Sequence, residues 1–377
     1  MSIDPERSAT RALEGVRVLD LSRVLAGPWA SQTLGDLGAE VIKVERPGVG
    51  DDTRLWGPPF LQDPQGQASH ESAYYLCANR NKRSIAVDLT QPAGQDIIRR
   101  LVQDSDVLIE NFKVGGLRAH GLDAETLCAL NPRLVYCAIS GFGQDGPAAG
   151  RPAYDTVAQA ASAYLRLLIN PANPRVVGPA LADAMTGFYA AYGILGALLE
   201  RQRTGVGRRV EVSMLEAMCH FNLDAFTHYF SEGEVMGPFS RPSVSQSYVL
   251  ECQGGEWIAL HMSSPEKFWQ GLADAIERPD IFKDPRFATR EGRIAHQDEL
   301  IRILGEAFAQ HPRAHWCARL EALDVPHAPM YDTSEALEDP QARHLQLTID
   351  APHPEGGRWR TVRSPVSFDG ERSLEVS

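Results

Sequence analysis

Two aspartates and a set of dispersed cations are the residues of this chain with the most chemistry to offer. Asp183 lies in GPALADAMTGF, directly ahead of an apolar, alanine-rich segment that reads as a helix over 184–202. That placement predicts a helix N-cap, because a short carboxylate accepts hydrogen bonds from the unpaired N–H groups of a first turn. It equally suits a nucleophile: the positive end of the helix favours the ionised form, and carboxylates form covalent intermediates. Asp155, in RPAYDTVAQ, also falls at a predicted helix start and reads first as a cap. Arg46, Lys82, Arg83, Lys113 and Arg118 sit near the ends of predicted strands or in the loops that follow. Singly each is a solvated charge; gathered at one sheet edge they could hold the phosphates of a nucleotide-like ligand. Trp56, Tyr74 and Phe112 read as core or interface aromatics, with base stacking the alternative.

The elements that must position these residues alternate between strand and helix. Val16–Leu21 is a buried-strand pattern. Pro28 then fits the first turn of a helix that stops at Gly38, and Val41–Glu45 is the next strand. This is a βαβ unit and predicts a parallel sheet with right-handed crossovers. Further strands are predicted at Ser84–Asp88, Val107–Glu110, Leu134–Ile139 and Val210–Val212, with helices at Gly94–Gln103, Ala124–Leu130, Thr156–Leu168 and Leu215–Phe230. Strand ends therefore fall at Glu45, Asp88, Asn111 and Ser140, where an open parallel sheet binds its ligand. The turn after the first strand is LAGP, Leu25 to Pro28, and not GxGxxG, so a dinucleotide site of the usual kind is not expected; nor are P-loop, GxSxG or HExxH motifs present. No metal centre is expected.

Length and composition set the outer limits. A chain of 377 residues is long for one core, so two domains are expected. Residues 1–225 form the first part of a large domain, 226–325 a small α+β domain opened by a hairpin around QGGE, and 326–377 a segment returning to the large domain. A net charge of −12 argues against nucleic-acid and membrane-surface partners, which select basic faces. The six cysteines show no CxxC or paired spacing, the first fifteen residues are polar, and the apolar run Phe188–Leu199 is short for a bilayer, so a cytoplasmic location without membrane contact is expected.

Long blocks of the sequence resemble the class III CoA-transferases of CaiB/BaiF type, which include formyl-CoA transferase, carnitine CoA-transferase and α-methylacyl-CoA racemase. The matching text runs from LEGVRVLDLSRVLAGPWASQTLGDLGAEVIKVERPGVGDDTR through NRNKRSIAVDL, DVLIENFKVGGL, NPRLVYCAISGFGQDGP and RPAYDTVAQA to ALADAMTGFYAAYGILGALLERQRTGVGRRVEVSMLEA. It is dense over roughly residues 13–218. The resemblance implies an α/β fold, with a Rossmann-like large domain and a smaller α+β domain, in an interlocked homodimer. It implies acyl-CoA and carboxylate substrates, with Asp183 as the nucleophile passing through a mixed anhydride and an aspartyl-CoA thioester. It implies CoA contacts at Leu25, Ala26, Arg46, Val87, Asp88, Leu89, Thr90, Asn111, Phe112, Lys113, Ser140, Gly141, Phe142 and Gly143. Arg118 stands in for a family arginine that aligns with Ala119. Trp56, Tyr74, Tyr154 and Asp155 are placed at the acyl pocket. Ser140 replaces a lysine of formyl-CoA transferase. Tyr154 replaces the histidine of the racemases, and tyrosine is a poor proton acceptor near neutral pH. Transfer is therefore the expected activity, with racemisation or silent CoA binding as the alternatives.

Overall fold

The computed structural model describes residues 11–63, 65–263, 266–353, 358–374 and 376. The chain forms two compact units: one comprises residues up to 165, 175–226 and those from 347 onward, the other 166–174 and 227–346.

The first unit is built on six strands: β1 (Arg17–Asp20), β2 (Glu40–Glu45), β3 (Lys82–Ala86), β4 (Val107–Glu110), β5 (Val135–Ser140) and β6 (Arg209–Ser213). Every pairing is parallel and the spatial order is β3-β2-β1-β4-β5-β6. That is the Rossmann order, in which the direction of winding reverses between β1 and β4 and leaves a crevice beyond their carboxyl ends. Side chains alternate between the two faces. Val18, Val107, Ile109, Val135, Cys137 and Ile139 pack on one side with helices α1 (Ala26–Asp36) and α5 (Leu181–Thr204). Leu19, Leu108, Leu134, Tyr136 and Ala138 pack on the other with α2 (Pro92–Gln103) and α3 (Ala124–Leu130). Both faces are covered, which is why the strands read as continuous apolar runs.

Helices α1 and α5 approach at backbone distance. A Cβ on Gly187 would lie 2.8 Å from the Ala26 carbonyl oxygen and 2.8 Å from Trp29 Cβ. Only glycine fits, and Asp183 lies one turn earlier on the same helix. With 24 residues, α5 is long and apolar enough to cross a bilayer, which revises the expectation drawn from Phe188–Leu199 alone. Its buried side, including Ala190, Ile194 and Ala197, belongs to the core above the sheet.

Two buried lysines tie the β1–α1 connection. Lys82 donates to Asp20 (3.2 Å), to the Pro28 carbonyl (2.9 Å) and to Asn79 (2.9 Å). Lys43 donates to the Ser22 carbonyl (3.1 Å) and pairs with Asp51 at 2.9 Å. Asp20 is fully buried and also accepts from Ser31 at 2.5 Å. Lys82 was a candidate phosphate ligand by its place near a strand; it is instead internal. Burial, only partly offset by Asp20, brings its pKa down to about 7.

The predicted long helix after Asp155 is two pieces, α4 (Asp155–Ala161) and a short segment Tyr164–Leu168, broken at Ala163 with φ of 64°. Near the chain end a hairpin of Thr348–Pro352 and Arg358–Val362 packs on the first unit: Arg80 bonds the Val362 carbonyl at 2.5 Å and Asp36 at 2.6 Å. In the second unit the predicted hairpin is Ser247–Glu251 with Trp257–His261, and a third strand, His327–Pro329, adds antiparallel to it. That pairing carries this unit past residue 325. Its core is closed by Trp269, Phe287, Phe308 and Trp316.

Replacing Gly187 with alanine forces the two helices apart. We expect a loss of stability of about 1–3 kcal/mol, read as a lower denaturant midpoint with an unchanged slope.

Candidate functional site

Two adjoining cavities open at the carboxyl ends of β1 and β4. The first, of about 750 Å³, is lined by Leu21, Ser22, Arg23, Val44, Glu45, Arg46, Val87, Asp88, Leu89, Thr90, Phe112, Gly116, Leu117 and His120. The second, of about 1130 Å³, is lined by Arg23, Val24, Ala26, Asn111, Phe112, Lys113, Ser140, Gly141, Arg151, Tyr154, Asp183 and Met214 among others. Arg23 and Phe112 wall both. Together they give one long cleft.

The walls are made by strand ends and tight turns. Gly27 sits so close to the end of the β1 loop that a Cβ would meet Ser22 Cβ at 2.2 Å. This is how the LAGP turn does the work of a glycine fingerprint: α1 starts directly against the loop that follows β1. Asn111 spends its side chain on that loop, accepting from Arg23 N at 2.9 Å and donating to Arg23 O at 2.7 Å. It fixes the crevice rather than presenting a free amide. Arg46 faces the first cavity and pairs with Asp52. Asp88 accepts from Thr90 N (2.9 Å) and Oγ1 (2.7 Å), bonds that hold its carboxyl below its ordinary pKa. Ser140 accepts from Gly143 N at 3.0 Å and so shapes the glycine loop, where Gly143 has φ of 105°. Arg151 lies over the Phe142 ring at 4.9 Å.

Asp183 is buried at 8% exposure in the wall of the second cavity. It is not the N-cap. The helix starts at Leu181 after Ala180, so Asp183 stands in the first turn, and the capping role falls to a carboxylate from another helix. Asp155 Oδ1 accepts from Ala182 N at 2.7 Å and from Asp183 N at 3.3 Å. The Asp183 carboxylate in turn faces the N–H of Ala26, the first of α1. The expected effect of the helix end is also reversed. Burial, and then the nearby charge of Asp155, push the Asp183 pKa up from 3.8 to about 7, and the Ala26 N–H offsets only part of the rise.

Of the remaining expected residues, Leu25 is the buried N-cap of α1. Tyr154 is exposed at the second cavity's rim. Tyr74 packs on Trp56, ring centroids 5.5 Å apart, and burial together with the charge of Asp183 raises its hydroxyl pKa. Arg118 is not brought to the cleft: its mostly exposed side chain lies 3.4 Å from Glu125, and His120 lines the first cavity at that end. Arg23, His120, Arg151 and Met214 were not expected. Arg23 follows β1 directly and was open to detection by the strand-end rule. The others come from loops and helix starts whose direction no pattern sets. His311 and His315 are four residues apart and stack at 4.1 Å, a spacing compatible with metal binding, but no group of three or more His, Cys, Asp or Glu side chains able to hold a metal occurs among the described residues.

A Rossmann-ordered sheet takes its ligand in the crevice beyond the strand ends, and here a buried carboxylate lines that crevice. The chain belongs to CoA-transferase family III, whose family model matches residues 13–376. It is 37% identical to the succinate–glutarate CoA-transferase of Agrobacterium fabrum, over 94% of this chain and 88% of that one. It is 36% identical to human succinyl-CoA:glutarate CoA-transferase, over 97% of this chain and 82% of that one. The crystal structure of a CaiB/BaiF family protein from Brucella suis superposes with a TM-score of 0.85 at 36% identity, covering 97% of this chain and 94% of that one. The activity is thus transfer of CoA between an acyl thioester and a free carboxylic acid.

The raised pKa of Asp183 has a signed consequence for stability. The folded chain keeps a proton there that the unfolded chain releases near pH 3.8, so this contribution is complete below that pH and is lost as pH rises through about 7. Asp183→Asn is expected to match the wild type near pH 4 and to exceed it in denaturant midpoint at pH 8. Equal midpoints at both pH values would contradict the assigned shift.

Proposed function

We propose that the chain transfers CoA between dicarboxylic acids by covalent catalysis at Asp183. The observation that carries this reading is the Asp183 carboxylate itself, buried in the cavity wall and facing the start of α1. The nucleotide end of CoA occupies the first cavity, with Arg23 and Arg46 toward its phosphates, and the pantetheine arm follows Phe112 into the second. The Asp183 carboxylate attacks the thioester carbonyl of the donor. The C–S bond breaks, CoA leaves as thiolate, and an aspartyl mixed anhydride remains. The thiolate attacks the aspartyl carbonyl, expels the donor acid and forms the aspartyl-CoA thioester. The acceptor carboxylate then displaces the thiolate to give a second anhydride. Attack of the thiolate on the acceptor carbonyl yields the new acyl-CoA and frees Asp183. No proton is gained or lost over the cycle.

Ala26 N–H is placed to hold the aspartyl oxygen through these steps, since a fixed donor costs no reorganisation when charge moves. Lys113 and Arg151 line the same cavity and supply positive charge for a second carboxylate. This agrees with relatives named for succinate and glutarate. Tyr154 at the rim, with no histidine beside Asp155, favours transfer over proton abstraction. The family resemblance supports a homodimer of interlocked chains.

Incubation with succinyl-CoA followed by peptide mass spectrometry tests the route. The expected result is a CoA thioester on Asp183, and one heavy oxygen deposited there from labelled glutarate. Asp183→Ala should lose both signals and roughly four orders of magnitude of transfer. Full transfer by that variant rules out the nucleophile. Deuterium exchange at the α-carbon without transfer rules out the reaction class.

A further inference from the structure

We propose that Asp155 is a positioning residue for Asp183: it clamps the first turn of the nucleophile's helix and holds a fixed negative charge beside it. The inference rests on the assignment of Asp183 as nucleophile.

Asp155 heads α4 yet makes no cap for its own helix, whose N-cap, Tyr154, makes no side-chain capping bond. Its Oδ1 turns instead to the neighbouring helix and accepts from Ala182 N and Asp183 N, at 2.7 and 3.3 Å. Its Oδ2 accepts from Gln159 Nε2 at 2.6 Å, one turn along α4. Gln159 is 1% exposed, and its Oε1 has no hydrogen-bond partner among the described residues. A buried amide has thus been oriented to serve the carboxylate at the cost of its own acceptor, which is expensive unless the orientation matters.

The arrangement withholds from Asp183 the N–H groups of its own helix. A carboxylate in a first turn ordinarily draws on that positive end. Here Asp155 takes it, and Asp183 is left with the Ala26 N–H of α1. An anion so poorly compensated is more basic, and a more basic carboxylate is the better nucleophile toward a thioester. The other charged or titratable groups facing Asp183 are Tyr74, which feels both aspartates, and the cavity-lining Arg23, Lys113 and Arg151. Burial and the two aspartates push the Tyr74 hydroxyl above its usual range, away from neutral pH. The response expected near pH 7 is that of Asp183.

A structural cap and a charge-setting residue respond differently to Asp155→Asn. Asparagine keeps an oxygen for Ala182 N and Asp183 N, and a flipped Gln159 amide can accept from its Nδ2 using the idle Oε1. Only the charge is lost. The experiment is the pH profile of kcat/KM for succinyl-CoA with glutarate in wild type, D155N and Asp155→Ala, together with the CoA adduct on Asp183. The expected D155N enzyme melts as the wild type does, its acid limb moves down by roughly one pH unit, and its plateau falls several-fold. Asp155→Ala is expected to lose about a hundredfold in kcat with KM little changed, the signature of a misplaced group. A D155N profile that superimposes on the wild type, beside an intact Asp183 adduct, overturns the positioning role alone. Absence of the adduct in the wild type removes the nucleophile, and this proposal with it. Should D155N not fold, Asp155→Ser keeps a hydroxyl acceptor at that position and is read against the same two outcomes.

Discussion

The contact on which the site depends is the backbone approach of α1 and α5 at Gly187. Two helices separated by ordinary side chains sit 8–10 Å apart; here one missing Cβ brings the second helix onto the Ala26 carbonyl and the Trp29 side chain. The consequence is local. Asp183, four residues before Gly187, is carried to the first N–H of α1, and the residue that supplies this N–H also walls the second cavity. Sheet order places α1 at the switch point, the glycine contact places α5 on α1, and the carboxylate arrives at the crevice as the product of the two.

Electrostatics at that point are set by distribution more than by amount. Several cations border the cleft, yet among the described residues the Ala26 N–H alone acts to lower the pKa of the buried carboxylate, and Asp155 has claimed the N–H groups of Ala182 and Asp183. Glu45 of the same unit shows the contrary outcome. Glu45 is also largely buried, but Arg54 and Ser84 more than offset the burial and hold it down at about 2. Glu110 follows Asp183 instead: burial lifts it to about 7 despite the bond it accepts from Phe112 N.

Much of this was legible in the sequence. The six strands of the sheet follow apolar, β-branched runs whose ends are set by the layers above and below, and all six lie within two residues of their expected positions. The family blocks marked Asp183, the LAGP turn and the NF segment. What was not legible is whatever depends on one element meeting another. Asp183 read as its own helix's cap because the competing carboxylate is 28 residues away in sequence and comes from α4. Lys82 read as a surface cation because its partner, Asp20, ends a strand that is not its neighbour in sequence. Arg118 read as a ligand by offset from a motif, but the short turn at Arg118–His120 presents His120 to the cavity instead.

The lysines beneath the β1–α1 connection bear on how this sequence is free to vary. Lys82 answers Asp20 and Lys43 answers Asp51, all four buried. Loss of one partner strands a charge in the interior, which costs several kcal/mol, whereas removal of a pair together with compensating apolar bulk is often tolerated. Variation at these positions is therefore expected to be joint: homologous chains should carry both members of a pair or neither. The single-residue steps between those two states pass through proteins that fold poorly. The foundation of the cleft is in this sense inherited as a block, and drift in substrate preference has to be accommodated in the residues above it.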